Sequence, residues 1–333
     1  MPPLRLSLAC GPYDRTDALR HGIVRPEGID LVYVPIQSPP EIFARMVTNG
    51  SFDASEMSCA HFISHRSRAV QGTAGEFAFV AIPVFPSRMF RHGYIFVNAA
   101  SGIESPRDLD GKRVGVPEYG QTAAVWVRGI LQHEFGVRLD TIQWHTGGVN
   151  APDRPDALVN VPEDGVSITR VRDRPLNDLL VDGGIDALIG SRRPAALGHD
   201  PRVRRLFPDY REREREYYRR TGIFPIMHTI VIREDLYRAH PWIADSLFKA
   251  FVLAKEWCLA QMQFSSSLRY MLPWMHADLD EMREVFGPDP WPYGLEANRK
   301  TLQTLADYLH EQRLMRRPVR VDEVFVPITT VSE

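Results

Sequence analysis

The hydrophobic positions along the chain follow two periods. Leu4, Leu6 and Leu8 alternate with polar neighbours and predict an opening β-strand, and the segment GIDLVYVPI (28–36) predicts a second. PPEIFARMVTNG (39–50) reads as a helix with proline near its start and Asn49-Gly50 as its stop. FDASEMS (52–58) then gives a short strand, CAHFISHRSRAV (59–70) a helix and FAFVAIPVF (77–85) a buried strand. This βαβα alternation predicts a sheet with helices on its faces.

The alternation continues. RHGYIFVN (91–98) predicts a strand, residues 105–109 a short helix and residues 113–117 a buried strand. An amphipathic helix is expected from about Gln121. TIQWHTGG (141–148) and IDALIG (185–190) read as strands, and residues 211–220 as a solvated, charge-dense helix or connector. IFPIMHTIVIR (223–233) returns to a strand pattern, and long helices follow at 241–262 and around Leu302, Leu305 and Leu309. The second α/β run therefore looks inserted into the first. The expected partition is residues 1–97 and 226–333 in one discontinuous domain, with 98–225 as the insertion. Strands near His92 and near His228 would cross between them, side by side, with a ligand cleft at the domain interface.

Composition narrows the function. The chain has 333 residues, 44% of them hydrophobic and 25% charged, with a net charge of −2. These values are those of a globular protein with no basic footprint for nucleic acid. No run of about 18 apolar residues predicts a membrane span. The N-terminal apolar run is short and broken by Arg5, so a cytoplasmic protein is expected. Three distant cysteines, Cys10, Cys59 and Cys258, fit neither a disulfide framework nor a Cys-x-x-Cys metal pair.

One loop invites an anion. The strand at 113–117 feeds the helix from Gln121 through Glu118, Tyr119, Gln121 and Thr122, and the unpaired N–H groups of a helix start carry partial positive charge. An ordinary helix cap by Gln121 or Thr122 explains the same residues.

Several strings resemble a known family. YDRT (13–16), RPEGIDL (25–31), FDASEMS (52–58), IPVFPSRMFRH (82–92), VPEYGQTAAVWVRG (116–129) and TGIFPIMHTIVIR (221–233) occur in order and resemble the 4,5-dihydroxyphthalate decarboxylases. The segment SGIESPRDLDGKRVGV (101–116) resembles the second domain of type II periplasmic-binding-protein folds. The resemblance implies a two-lobed α/β fold of that type. It also implies a carboxy-lyase that converts a hydroxylated aromatic acid such as 4,5-dihydroxyphthalate to protocatechuate and CO₂. The stretch 150–165 and His145 match no motif of the family.

That chemistry needs a proton donor at the ring carbon, a base near a hydroxyl, and cations or N–H groups that orient carboxylates. His92 and His228, on the two expected crossing strands, are the acid–base candidates, since imidazole exchanges protons near neutral pH. Alternation along PSRMFRHG puts Arg88 and His92 on one side and Arg91 on the other, which favours Arg88 for a carboxylate. Tyr119 and Thr122 are expected to hold a second carboxylate or a catechol oxygen. Asp14 and Arg15 follow the first strand, and Glu56 and Ser58 end the third, where parallel sheets present ligand-binding loops. Ser191 and Arg192 follow the strand at 185–190. Each residue also has an ordinary structural reading as a salt bridge, a cap or a satisfied core histidine.

No organic cofactor is expected. A divalent metal held by His92, His228 and Glu56 is the alternative, because a catechol chelates such ions. The expected partner is a small aromatic carboxylate, with a homo-oligomer allowed and neither nucleic acid nor membrane involved. The rival function is a non-catalytic binding protein for a small aromatic or pyrimidine-like solute.

Overall fold

The computed structural model describes residues 2–70, 78–152, 162 and 165–329. Most of the polar stretch 150–165 lies outside them. The chain divides into two compact units. Unit 1 comprises residues 1–88, 228–302 and 320–333, and unit 2 comprises 89–227 and 303–319. Unit 2 thus holds residues 89–97, 226–227 and 303–319, which the sequence assigned to the other domain.

In unit 1, strands β1 (Leu4–Cys10), β2 (Ile29–Pro35), β3 (Ala54–Ser58) and β4 (Phe79–Arg88) alternate with helices α1 (Asp17–Arg20), α2 (Pro39–Asn49) and α3 (Cys59–Val70). In unit 2, β5 (Ile95–Asn98), β6 (Arg113–Val116), β7 (Gln143–Thr146), β8 (Ile168–Arg170), β9 (Ala187–Ile189) and β10 (Val203–Arg205) accompany α4 (Thr122–Phe135), α5 (Leu176–Asp182) and α6 (Tyr210–Thr221). The chain returns through β11 (Ile226–Arg233), α7 (Glu234–Ala239), α8 (Ile243–Met262), α9 (Met275–Phe286) and α10 (Arg299–Glu311).

The sheet of unit 1 has the order β2-β1-β3-β11-β4. β1 pairs in parallel with β2 and β3, while β11 runs antiparallel to β3. A strand from late in the chain thus sits between the third and fourth strands. The sheet of unit 2 repeats the device in the order β10-β5-β9-β6-β7-β8, with β9 antiparallel to β5 and parallel to β6. The predicted alternation of Leu6 and Leu8 is met, and both side chains are fully buried. In unit 2 an apolar cluster of Phe96, Leu176, Leu180, Ile185 and Leu188 fills one side of the sheet.

The expectation of a strand through His92 fails. Residues His92–Tyr94 form a 3-10 turn, and β5 begins only at Ile95. The strand beside β11 is β4, not β5. The break has a physical cause. Gly93 is packed so closely on the Tyr210 ring that an added Cβ would lie 2.7 Å from it, and the Gly93 N–H donates to Glu214. Packing against α6 bends the chain out of the extended form that alternation assumed. Among the described residues no helix is long and apolar enough to cross a membrane.

Candidate functional site

Unit 1 gathers an acid–base cluster at the C-terminal ends of β1 and β3. In the antiparallel pair of β11 with β3, His228 lies opposite Ser58 and Ile230 opposite Glu56. Glu56 and His228 are therefore diagonal neighbours on one face, within reach of each other. The His228 Nδ1 lies 2.5 Å from Glu56 Oε1. Glu56 is fully buried. Its Oε2 accepts the Gly11 N–H at 2.9 Å, and its Oε1 also accepts the Tyr13 hydroxyl at 2.7 Å.

These contacts fix the charge state. Burial alone would raise the Glu56 pKa. The His228 imidazole, by charge and then by hydrogen bond, together with the Gly11 and Tyr13 donors outweighs it and holds the carboxyl below the ordinary glutamate value. Burial, and next the Glu56 carboxylate, push the Tyr13 hydroxyl and the Cys10 thiol up, so both stay protonated. Cys10 stands 3.6 Å from Glu56 Oε2 as a thiol donor. Ionised Glu56 orients His228 through Nδ1. Among the described residues Nε2 has no hydrogen-bond partner, and the side chain stays 18% exposed. An imidazole with a buried carboxylate behind it and a free outer nitrogen can deliver or take a proton.

Gly11 is required by this geometry. An added Cβ would meet the Tyr13 ring at 2.6 Å, so only glycine lets the ring fold back over the loop and reach Glu56. Arg15 completes the cluster. Its guanidinium carbon lies 4.3 Å from the Tyr13 ring centre and 4.4 Å from that of Trp291. Its Nε donates to the Pro86 carbonyl at 2.6 Å and its Nη1 to Asp14 at 3.0 Å. Nη2 makes no hydrogen bond among the described residues, which leaves one N–H edge for an anion.

The other candidates fall differently. Asp14 serves Arg15. Ser58 sits at the end of β3, opposite His228 in the pairing register. Arg88 corrects the expectation of a substrate-facing guanidinium. It is buried, and its Nη2 donates to the Asn298 side chain and the Pro292 carbonyl. It also ends β4 in unit 1, whereas His92 belongs to unit 2, so the alternation that joined them does not apply.

His92 is 2% exposed, packed against Tyr217 and Phe207, with its Nδ1 3.9 Å from Glu214. Burial, and then Arg213 and Arg220, push its pKa down to about 4. At neutral pH it is an uncharged core imidazole.

Unit 2 brings its own candidates to one loop cluster. Tyr119 is buried and Thr122 opens α4, where Gln121 holds the N-cap position without capping through its side chain. Gly190, at φ +143°, lets the segment before Ser191 and Arg192 pass against Pro117, where an added Cβ would lie 2.6 Å from the proline ring. Behind the loop lies Arg128, fully buried, which the sequence did not single out. Its guanidinium carbon is 3.7 Å from the Tyr119 ring centre, and it donates to the Tyr119 carbonyl and to Gln312. Burial lowers its pKa to about 10. Among the described residues no group of three His, Cys, Asp or Glu side chains converges as a metal ion needs.

Comparison with known proteins sets these sites in context. No family model matches the sequence. The 4,5-dihydroxyphthalate decarboxylase of Comamonas testosteroni is 39% identical over 336 residues, covering 100% of this chain and 99% of that relative. The enzyme of the same name from Pseudomonas putida is 37% identical over 222 residues, covering 66% of this chain and 83% of the relative. Among solved structures, the periplasmic aliphatic sulphonate binding protein SsuA from Escherichia coli aligns with a TM-score of 0.53 at 16% identity, over 99% of this chain and 94% of that one. The Candida albicans CA3427 gene product, described as having the generic periplasmic binding protein fold, aligns with a TM-score of 0.52 at 13% identity, over 100% and 99%. At such identities the likeness concerns the fold alone. It agrees with the type II periplasmic-binding-protein-like α/β class expected from the sequence.

Proposed function

This chain belongs to the 4,5-dihydroxyphthalate decarboxylase family, and from that premise we propose that it is a carboxy-lyase acting on 4,5-dihydroxyphthalate, with His228 and Glu56 as its proton-exchanging pair. The observation that carries the reading is the His228–Glu56 contact at 2.5 Å, with the Glu56 carboxylate held ionised and Nε2 of His228 left free.

The chemistry follows from the substrate. Each carboxylate of 4,5-dihydroxyphthalate is para to one ring hydroxyl. Loss of that hydroxyl's proton raises electron density at the carbon bearing the carboxylate. His228 Nε2–H protonates this carbon, the C–CO₂ bond breaks with its electron pair returning to the ring, and CO₂ leaves as the ring regains aromaticity. The hydroxyl then recovers a proton, so the net change is one carboxylate exchanged for one hydrogen. Glu56 stabilises the imidazolium before transfer and keeps its Nδ1–H pointed inward. Positioned acid–base groups of this kind contribute about 10²–10⁴-fold. Arg15, with its free Nη2, takes the carboxylate that remains, a charge-assisted contact worth about 1.5–3 kcal/mol. The reaction uses no organic cofactor.

The test is direct. Purified protein given 4,5-dihydroxyphthalate in D₂O should release CO₂ and yield 3,4-dihydroxybenzoate carrying one deuterium at C6, ortho to the carboxylate and para to the 3-hydroxyl. A binding protein would hold the acid and release nothing. CO₂ release with hydrogen isotope at another ring position would reject the protonation step.

A further inference from the structure

The segment PDPWPY (288–293) is held in a way the acid–base pair does not explain. Lys255, on α8, is 7% exposed in its side chain, and its Nζ bonds Asp289 Oδ2 while lying 5.3 Å from the Tyr293 ring centre. Asp289 Oδ1 accepts the backbone N–H of Trp291 at 2.9 Å. Pro290 and Pro292 have no N–H, so the Trp291 amide is the only backbone donor in the stretch 290–292 by which the aspartate can grip the turn. The Trp291 indole N–H donates to the Phe85 carbonyl at 2.8 Å, which sets the plane of the ring. On that ring lies Arg15.

From this chain of contacts we infer that Asp289, anchored by Lys255, is a positioning residue that fixes Trp291 as the platform for Arg15 and thereby sets affinity for the substrate carboxylate. The inference rests on the role given to Arg15 above. An arginine confined between two aromatic faces, with Nε and Nη1 already engaged, presents its last N–H edge in one direction. Loosening either wall lets the guanidinium swing and loses the preorganisation that makes its contact directional. The buried ammonium of Lys255 makes the anchor rigid, since it has one carboxylate partner in this pair and an aromatic face beside it.

The experiment compares Asp289→Ala, Asp289→Asn, the double variant Lys255→Met/Asp289→Ala and Arg15→Ala, with 4,5-dihydroxyphthalate as probe. Asp289→Ala should raise KM at least fivefold with kcat within twofold. Asp289→Asn, which keeps an oxygen for the Trp291 N–H, should recover part of the loss. The double variant removes the stranded ammonium, so it should regain thermal stability yet keep the raised KM, which separates positioning from folding. Emission of Trp291, taken as the difference from Trp291→Phe, should shift to the red in Asp289→Ala. An unchanged KM and unchanged Trp291 emission in Asp289→Ala, with KM raised in Arg15→Ala, would overturn the inference alone. A red shift with KM unmoved in Arg15→Ala would instead keep the platform and reject the carboxylate role of Arg15.

Discussion

The two histidines put forward as acid–base candidates, His228 and His92, each face a glutamate, and the two regions handle the pair in opposite ways. His228 in unit 1 touches Glu56 at 2.5 Å, and the carboxylate has three further donors, the Gly11 N–H, the Tyr13 hydroxyl and the Cys10 thiol. His92 in unit 2 stands 3.9 Å from Glu214, which accepts the Gly93 N–H at 3.2 Å. Both glutamates are desolvated. Glu56 stays charged because its contacts outweigh burial, whereas burial pushes Glu214 up to about 7 against the weaker pull of the Gly93 and His92 amides, Arg91 and Arg205. A histidine next to a glutamate is therefore no acid–base pair by itself. The number and closeness of donors to the carboxylate decide whether the imidazole has a charge to work against.

The largest expected break in this comparison is kinetic. His228→Gln and Glu56→Gln should each lower kcat by about 10²–10⁴-fold. His92→Gln should change it less than threefold, as read by CO₂ release at saturating substrate. Next comes recognition. Arg15→Ala should raise KM by about 10–100-fold, the equivalent of one or two charge-assisted hydrogen bonds, with a smaller effect on kcat.

Gly11→Ala should follow, at about tenfold in kcat. The new methyl displaces the Tyr13 ring, and Glu56 loses a donor. That loss should be visible as a raised acidic limb in the pH–rate profile, since fewer donors then hold Glu56 ionised.

The smallest effect concerns stability. The folded pKa of Glu214 lies above its unfolded value near 4.5, so the folded state binds the extra proton. The contribution is full below pH about 4.5 and is lost as pH rises to about 7. Glu214→Gln should therefore melt a few degrees higher than the parent at pH 8, an effect on the order of 1–3 kcal/mol, and the gain should vanish by pH 4.5. Equal melting shifts at both pH values would mean that Glu214 is not the titrating group.

The alternation of elements was legible because it rests on local periodicity. So was the placement of Asp14, Arg15, Glu56 and Ser58 at or just after strand ends, where parallel sheets expose loops. His228 was legible as a histidine on a strand returning late in the chain. Arg88 and His92 were placed on one side because an extended chain was carried through residues 88–92, whereas β4 ends at Arg88 and a 3-10 turn follows at His92–Tyr94; the bonds of Arg88 to Asn298 and Pro292 gave no local signal. Trp291 and Arg128 gave no signal of their own. Their roles depend on contacts with Arg15, at the far end of the sequence, and with Tyr119 across the loop that precedes α4. Tyr13 lay inside a recognised string, yet its bond to Glu56 follows from the missing side chain of Gly11, a fact of three dimensions.

The central claim is that the imidazole backed by Glu56, and not the one beside Glu214, moves the proton at the ring carbon. Because the step is reversible, it can be watched without CO₂. 3,4-Dihydroxybenzoate incubated with the protein in D₂O should lose its H6 proton signal with the parent and with His92→Gln, and keep it with His228→Gln and with Glu56→Gln. Undiminished exchange in His228→Gln, or its disappearance in His92→Gln alone, would contradict the account.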